Sequence, residues 1–310
     1  MRSALFVALV VLAACKADPS AVHPDGSTSV DARPTSDARS NEGWTPLISR
    51  PWTLQPGATN VYKCTRLQVP TDMWIAGFRA VSPAGTHHEV LTISTTNTTT
   101  GDYDCSAGTL DTQMLYAAGV GTDDFVFPDG VAMHVAAGTY INLNLHLYNA
   151  TDLAMSDTSG VMVRVVEPAA VAHEADMMFS GTSLLFINND GAPHDFSGGC
   201  TAPADWHLFG LWPHMHQTAT HQTWQYTPRS TGTAVKLIDD AFRFEEQKNY
   251  PIPETIVHKG DAILTTCTYV NSGKNPIIFG DGSDKEMCFT GMYKYPAGGG
   301  LFDCTSGPHL

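Results

Sequence analysis

Residues Thr139 to Ala150 read TYINLNLHLYNA, and this stretch decides the fold class. Ile141, Leu143, Leu145 and Leu147 alternate strictly with Asn142, Asn144, His146 and Tyr148. A two-residue period of this kind belongs to a β-strand with one apolar face. His146 stands on the polar face, pointing away from the core toward a surface or cleft. Upstream, 61–81 and 89–95 hold short apolar stretches of Thr-rich, strand-like composition, and Gly160 to Val166 (GVMVRVV) reads as another strand. Downstream, 183–187, 206–212, 223–226, 262–270 and 288–295 are strand candidates. Asn188-Asn189-Asp190-Gly191, Asn271-Ser272-Gly273 and Gly280-Asp281-Gly282 read as turns between them. Long amphipathic helical patterns are scarce. The expected fold is all-β, with two β-sandwiches meeting at Glu167-Pro168-Ala169-Ala170, so that 45–166 and 167–310 form the two domains.

A chain of 310 residues is long enough for two such domains. A formal net charge of −14 argues against a nucleic-acid surface, which needs clustered Lys and Arg. The first residues form a targeting segment: Arg2, then the apolar run Ala4 to Ala14, too short to span a bilayer comfortably. Leu12-Ala13-Ala14-Cys15 resembles a bacterial lipobox, the alternative being an ordinary cleaved signal beside a stray cysteine. The lipobox implies a signal peptide over 1–14 and a lipid on Cys15. The only membrane contact is then that anchor, in the bacterial cell envelope. Lys16 in place of Asp favours the outer membrane, with the protein facing the periplasm or the surface. Residues 15–44, rich in Pro, Ser, Asp and Ala, cannot bury a core and form a flexible tether. The remaining cysteines, Cys64, Cys105, Cys200, Cys267, Cys288 and Cys304, are even in number, which suggests disulfides in an exported protein. No pair has the CxxC spacing of a zinc or iron–sulfur site. A monomer is expected.

His214-Met215-His216 ends the apolar run WHLFGLWPHMH. On a strand, residues i and i+2 face the same way, so both imidazoles can reach one ion while Met215 faces oppositely. Met287, beside Cys288, is the candidate third ligand. Imidazole with thioether selects copper over calcium, magnesium or manganese, and three protein ligands leave a position open. His87 and His88 are adjacent and would diverge on a regular strand. They can share a metal with His146 only at a strand end or bulge, which the preceding Pro83-Ala84-Gly85 makes plausible. His134, His173, His194, His207, His221 and His258 lack matching partners and read as surface or structural. No GxSxG elbow, HExxH motif or glycine-rich phosphate loop is present.

The order His-His, His, His-x-His, Met resembles that of the copper type II, ascorbate-dependent monooxygenases, the family of peptidylglycine α-hydroxylating and dopamine β-monooxygenases. Gly260-Asp261-Ala262-Ile263-Leu264, Cys267, Asp284-Lys285-Glu286-Met287-Cys288, Met292-Tyr293 and Tyr295 follow its C-terminal pattern, and Met177-Met178, Cys200 and His214-Met215-His216 also fit. The resemblance implies two jelly-roll β-sandwich domains packed in tandem across a cleft. It implies two copper ions per chain: an electron-transfer site on His87, His88 and His146, and an oxygen-binding, catalytic site on His214, His216 and Met287. It also implies the pairs Cys64–Cys105, Cys200–Cys304 and Cys267–Cys288. The implied reaction is hydroxylation of a C–H bond in a small-molecule substrate by dioxygen, with ascorbate or another one-electron reductant. A copper-binding or storage lipoprotein without catalysis is the alternative. The chain departs from the family around the second site. The peptide enzyme anchors a substrate carboxylate with Arg before His-x-His and with Asn and Tyr after Met-Cys. Here Trp212-Pro213 and Phe289-Thr290-Gly291 stand there, so a glycine-extended peptide is not the expected substrate.

Overall fold

Strand Tyr140–Leu147 sits at the centre of a five-stranded sheet, in the order Gly101–Asp104, Val61–Gln68, Tyr140–Leu147, Thr86–Ser94, Gln113–Gly119. Its leucines and Ile141 are fully buried, as the alternation requires. The polar face is covered too, which a strict alternation does not announce. Asn142 accepts from the Tyr103 hydroxyl at 2.6 Å, and Asn144 donates to the Ser106 and Thr109 carbonyls at 3.0 and 3.2 Å. The 101–109 segment that supplies these partners is tied down by Cys64–Cys105. Polar side chains can face an interior when every group is paired. The computed structural model describes residues 41–307 except Thr59, Leu110, Thr112, Val120, Glu245 and Ser283. The signal segment, Cys15 and most of the tether lie outside the described residues.

Facing this sheet is a second one, ordered Thr45–Leu54, Met155–Val165, Met73–Val81, Val131–Val135, His173–Glu174, with Phe125–Val126 on Met73–Val81. Ile75, Phe78, Val161 and Val163 fill the layer between the two sheets with Leu143, Leu145 and Leu147. Each fully buried aliphatic or aromatic side chain of this kind contributes roughly 1.5–3 kcal/mol. Trp44 enters the fold beneath two guanidinium groups, Arg79 at 4.5 Å and Arg164 at 5.9 Å from its ring.

From Asp176 onward the chain builds a separate pair of sheets. One runs Tyr250–Val257, Trp206–His214, Cys288–Tyr295, Asp176–Thr182, Cys304–Ser306, and the other Pro193–Thr201, Ala262–Val270, Ala219–Thr227, Val235–Ala241. The architecture is all-β sandwich throughout. Sheet membership changes at Ala175. The Pro168–Ala170 turn precedes it, and His173 and Glu174 still pair with Val131 and Ala132. Tyr250–Val257 escaped the sequence reading because Pro251 and Pro253 interrupt it. It is an edge strand, paired among the described residues with Trp206–His214 alone, where a missing N–H is tolerated.

The two sandwiches are joined by aromatic packing. Phe125 lies 4.6 Å from Tyr293, and Phe127 4.9 Å from Phe209, ring centre to ring centre. Phe125 presses directly on Gly210, where a Cβ would overlap its ring, and the register of Trp206–His214 shifts at that point. This contact sets how the strand ending in His214 meets the first sandwich.

Candidate metal centres

The three histidines of the first sandwich converge. His88 is directly opposite His146 in the pairing of Thr86–Ser94 with Tyr140–Leu147, and the register slips between Thr86 and His88. That bulge falls on His87 and turns it to the same side as its neighbour. The ligand atoms of all three lie within 4.8 Å of one another. His87 Nδ1 and His88 Nδ1 face each other at 3.0 Å. The His146 ring lies flat on Tyr62, centroids 4.4 Å apart and planes 3° from parallel. Its Nε2 bonds Asn60 Oδ1 at 3.0 Å. An amide oxygen only accepts, so Nε2 carries the proton and Nδ1 keeps a lone pair. That Nδ1 is buried with no hydrogen-bond partner among the described residues. A buried acceptor left open beside two facing imidazole nitrogens fits a metal ion.

The second set is assembled at the end of Trp206–His214. His214 is opposite Phe289, where the pairing with Cys288–Tyr295 ends, and the His216 ring lies 5.2 Å from that of His214, centre to centre. Met215 takes the other face, fully buried with Cys267 and Cys288. His214 Nδ1 bonds Gln247 Oε1 at 2.8 Å, and His216 Nδ1 bonds the Lys285 carbonyl at 3.0 Å. Both acceptors require Nδ1–H, so both Nε2 atoms are available as donors to a metal. Trp212 stacks on His214, centroids 4.7 Å apart. Glu286, fully buried, accepts from the backbone N–H of His216 at 2.8 Å and of Thr218 at 2.7 Å. It also accepts from the Thr218 hydroxyl at 2.8 Å, tying the His216 turn to the segment that carries Met287. The Tyr269 hydroxyl donates to the Met287 carbonyl at 2.6 Å.

The two sets share one neighbourhood. The Phe244 ring lies 4.3 Å from His87 and 6.2 Å from His216. Burial, then the fields of His146, His87, His214 and His216, hold His88 well below the usual imidazole range. Burial and neighbouring histidines bring His146 to about 3 and His214 to about 3. Burial is also the main cause that brings His216 to about 4. Near neutral pH these imidazoles are uncharged, the form that binds metal. Two carboxyls work in the opposite sense. Burial raises Glu286 to about 7 and pushes Glu89, beside His88, well above its normal range.

A pH prediction follows for the metal-free protein. An unfolded histidine titrates near about 6.5, so below that value the unfolded chain binds protons that the native His146 refuses. Its contribution to stability is complete above the unfolded value and is lost as pH falls toward the folded one. Unfolding free energies from urea titrations between about pH 7 and about pH 4 should decline less steeply in His146→Phe than in the wild type, by up to about 1.4 kcal/mol per pH unit. Equal slopes would mean that this imidazole is solvated.

The other histidines among the described residues make ion pairs or ring contacts. His194 meets Asp190 at 2.8 Å, His221 meets Asp239 at 3.3 Å and His258 meets Asp205 at 3.4 Å. His134 stacks on Trp74, while His173 and His207 stack on Tyr295. Disulfides join Cys64–Cys105, Cys200–Cys304 and Cys267–Cys288, the same pairs that the resemblance implied.

Residues 174–306 match the family model described as copper type II ascorbate-dependent monooxygenase, C-terminal domain. This part of the chain is similar to that family's C-terminal domain. Dopamine beta-hydroxylase of the dog, Canis lupus familiaris, is 25% identical over 201 residues, which cover 59% of this chain and 32% of the relative. The chain thus spans about a third of that relative's length. Among solved structures, the infectious bursal disease virus VP2 subviral particle aligns over 81% of this chain and 71% of its own at 11% identity. Its TM-score is 0.22. The matched segment holds His214, His216 and Met287.

Sequence reasoning did not find Asn60, Tyr62, Phe244 or Gln247. None sits in a motif, and Gln247 lies in an irregular connection. Glu286 was visible within Asp284-Lys285-Glu286-Met287-Cys288 but was given no role of its own. Its signal is a carboxylate placed between a buried strand and a candidate ligand. Phe289 is core: it packs against Phe179 at 5.4 Å and Phe302 at 5.7 Å.

Proposed function

We propose that the chain is a copper-dependent monooxygenase that hydroxylates a C–H bond of a small organic substrate with dioxygen and an external one-electron reductant. The observation that carries this reading is the pair of donor sets. His87, His88 and His146 would hold one copper ion, and His214, His216 and Met287 the other, in a chain whose C-terminal part matches the copper monooxygenase family model. Bound copper would supply one-electron steps between its cuprous and cupric states, which imidazole and thioether donors both accommodate.

The protein's own contribution is positioning and burial. Asn60, Gln247 and the Lys285 carbonyl each hold one imidazole in a single tautomer, presenting the opposite nitrogen. Glu286 and Tyr269 fix the two segments that bring His216 and Met287 together. The aromatic and aliphatic surroundings limit water at both sites, which protects reactive species from side reactions. Trp212-Pro213 and Phe289-Thr290-Gly291 offer no cationic anchor, so the substrate is not one held by a carboxylate. The reductant is ascorbate or another one-electron donor.

Copper titration of the purified protein, followed by oxygen uptake under ascorbate with a panel of small apolar and aromatic substrates, tests the proposal. Copper should fill both sets, and oxygen consumption should require both copper and reductant and yield hydroxylated product. Full copper binding with no coupled product from any substrate would overturn the catalytic reading.

A further inference from the structure

Gln247 lies in the connection between Val235–Ala241 and Tyr250–Val257 and engages both sandwiches. Its Nε2 donates to the Phe244 carbonyl at 3.2 Å, which orients the amide and leaves Oε1 to accept from His214 Nδ1 at 2.8 Å. Its backbone carbonyl accepts from the Gly119 N–H at 2.6 Å and from the Thr122 hydroxyl at 3.3 Å. Gly119 is the residue directly opposite His88 in the pairing of Gln113–Gly119 with Thr86–Ser94. Asn249 adds a second tie, donating to the Ala117 carbonyl at 2.8 Å. A connection of the second sandwich is therefore anchored on the strand beside His88 and reaches back to His214.

We infer that Gln247 is a positioning residue that makes the geometry of His214 depend on the strand opposite His88. The inference rests on the reading of His214 as a ligand. The main-chain bond to Gly119 fixes where the Gln247 backbone sits, and the side chain then holds His214 as the Nδ1–H tautomer with Nε2 presented. Gly119 has no room for a side chain. A Cβ there would meet the Gln247 carbonyl oxygen at 2.9 Å and its nitrogen at 3.1 Å, both backbone atoms that cannot swing aside. Its φ is not in the left-handed region, so alanine is permitted by the local backbone and the substitution acts on the docked connection.

The test uses the full folded protein. Long-range proton–nitrogen NMR of the metal-free form reports the His214 tautomer, and titration with copper alone reports affinity. Wild type should show His214 as Nδ1–H. Gln247→Ala and Gly119→Ala should each lose that signature for a tautomer mixture and bind copper at His214, His216 and Met287 about 10–100-fold more weakly. Gln247→Glu, which still offers an acceptor, should keep the tautomer. If Gly119→Ala does not fold, Asn249→Ala replaces it by removing the neighbouring tie of this connection to the Ala117 carbonyl of the first sandwich. Variants with a wild-type tautomer and wild-type copper affinity overturn the inference. A tautomer that responds as described in a protein that takes no copper at His214 upholds the positioning role and overturns the ligand reading instead.

Discussion

Met287→Ile is expected to silence oxygen-dependent turnover while His87, His88 and His146 keep their copper. The substitution replaces a soft thioether with an apolar group of similar size, so it removes a donor with little change in packing. Met287 is 9% exposed and contributes to the large hydrophobic core, which an isoleucine also satisfies. Its carbonyl remains to accept from Tyr269, so the backbone stays in place. Loss of a second-sphere partner alone commonly costs about 10–100-fold in metal affinity or activity, and loss of a ligand should cost at least as much. Cupric electron paramagnetic resonance would separate the two sites, and an oxygen electrode would follow turnover. Turnover within a few-fold of wild type would remove Met287 from the ligand set.

The sequence made the fold class legible because alternation in a strand is a local property. Ile141 to Leu147 needed no partner to be read correctly. What alternation could not say is that Asn142 and Asn144 are also covered, because their cover comes from residues 101–109, distant in sequence and brought over by Cys64–Cys105. The histidine sets were legible for different reasons. His214 and His216 share a face by the simple period of a strand. His87 and His88 required an irregularity, and the register slip between Thr86 and His88 provides it. Residues that orient these ligands were harder to see. Gln247 acts through a tertiary contact from a connection with no periodic pattern. Asn60 acts across the pairing of neighbouring strands. Their chemistry exists only after the chain has folded, so no local window contains it.

The two disulfides of the second sandwich should separate stability from site geometry. Cys200–Cys304 spans 104 residues and joins Pro193–Thr201 to the terminal strand Cys304–Ser306, in the opposite sheet. Cys267–Cys288 spans 21 residues and lies next to Met287. In the chain-entropy model a bridge closing about 100 residues contributes about 4.7 kcal/mol, and one closing about 20 contributes about 3 kcal/mol. Replacing Cys200 and Cys304 together by alanine should therefore cause the larger fall in the urea midpoint. It should leave copper affinity at His214, His216 and Met287 close to wild type, since this bridge shares a core with Leu208, Leu211 and Met292, three or more residues along their strands from those side chains. Replacing Cys267 and Cys288 should lower stability less and copper affinity more. The strand Ala262–Val270 holds the Met287 segment at two points, the bridge from Cys267 and the hydrogen bond from Tyr269, and the double substitution removes the first. Met215, packed against the same bridge behind His214 and His216, would also lose its support. Denaturation and copper titration on the same two variants give the comparison. If the longer bridge governed both quantities, copper affinity at this site would be following global stability, and the local support assigned to Cys267–Cys288 would be wrong.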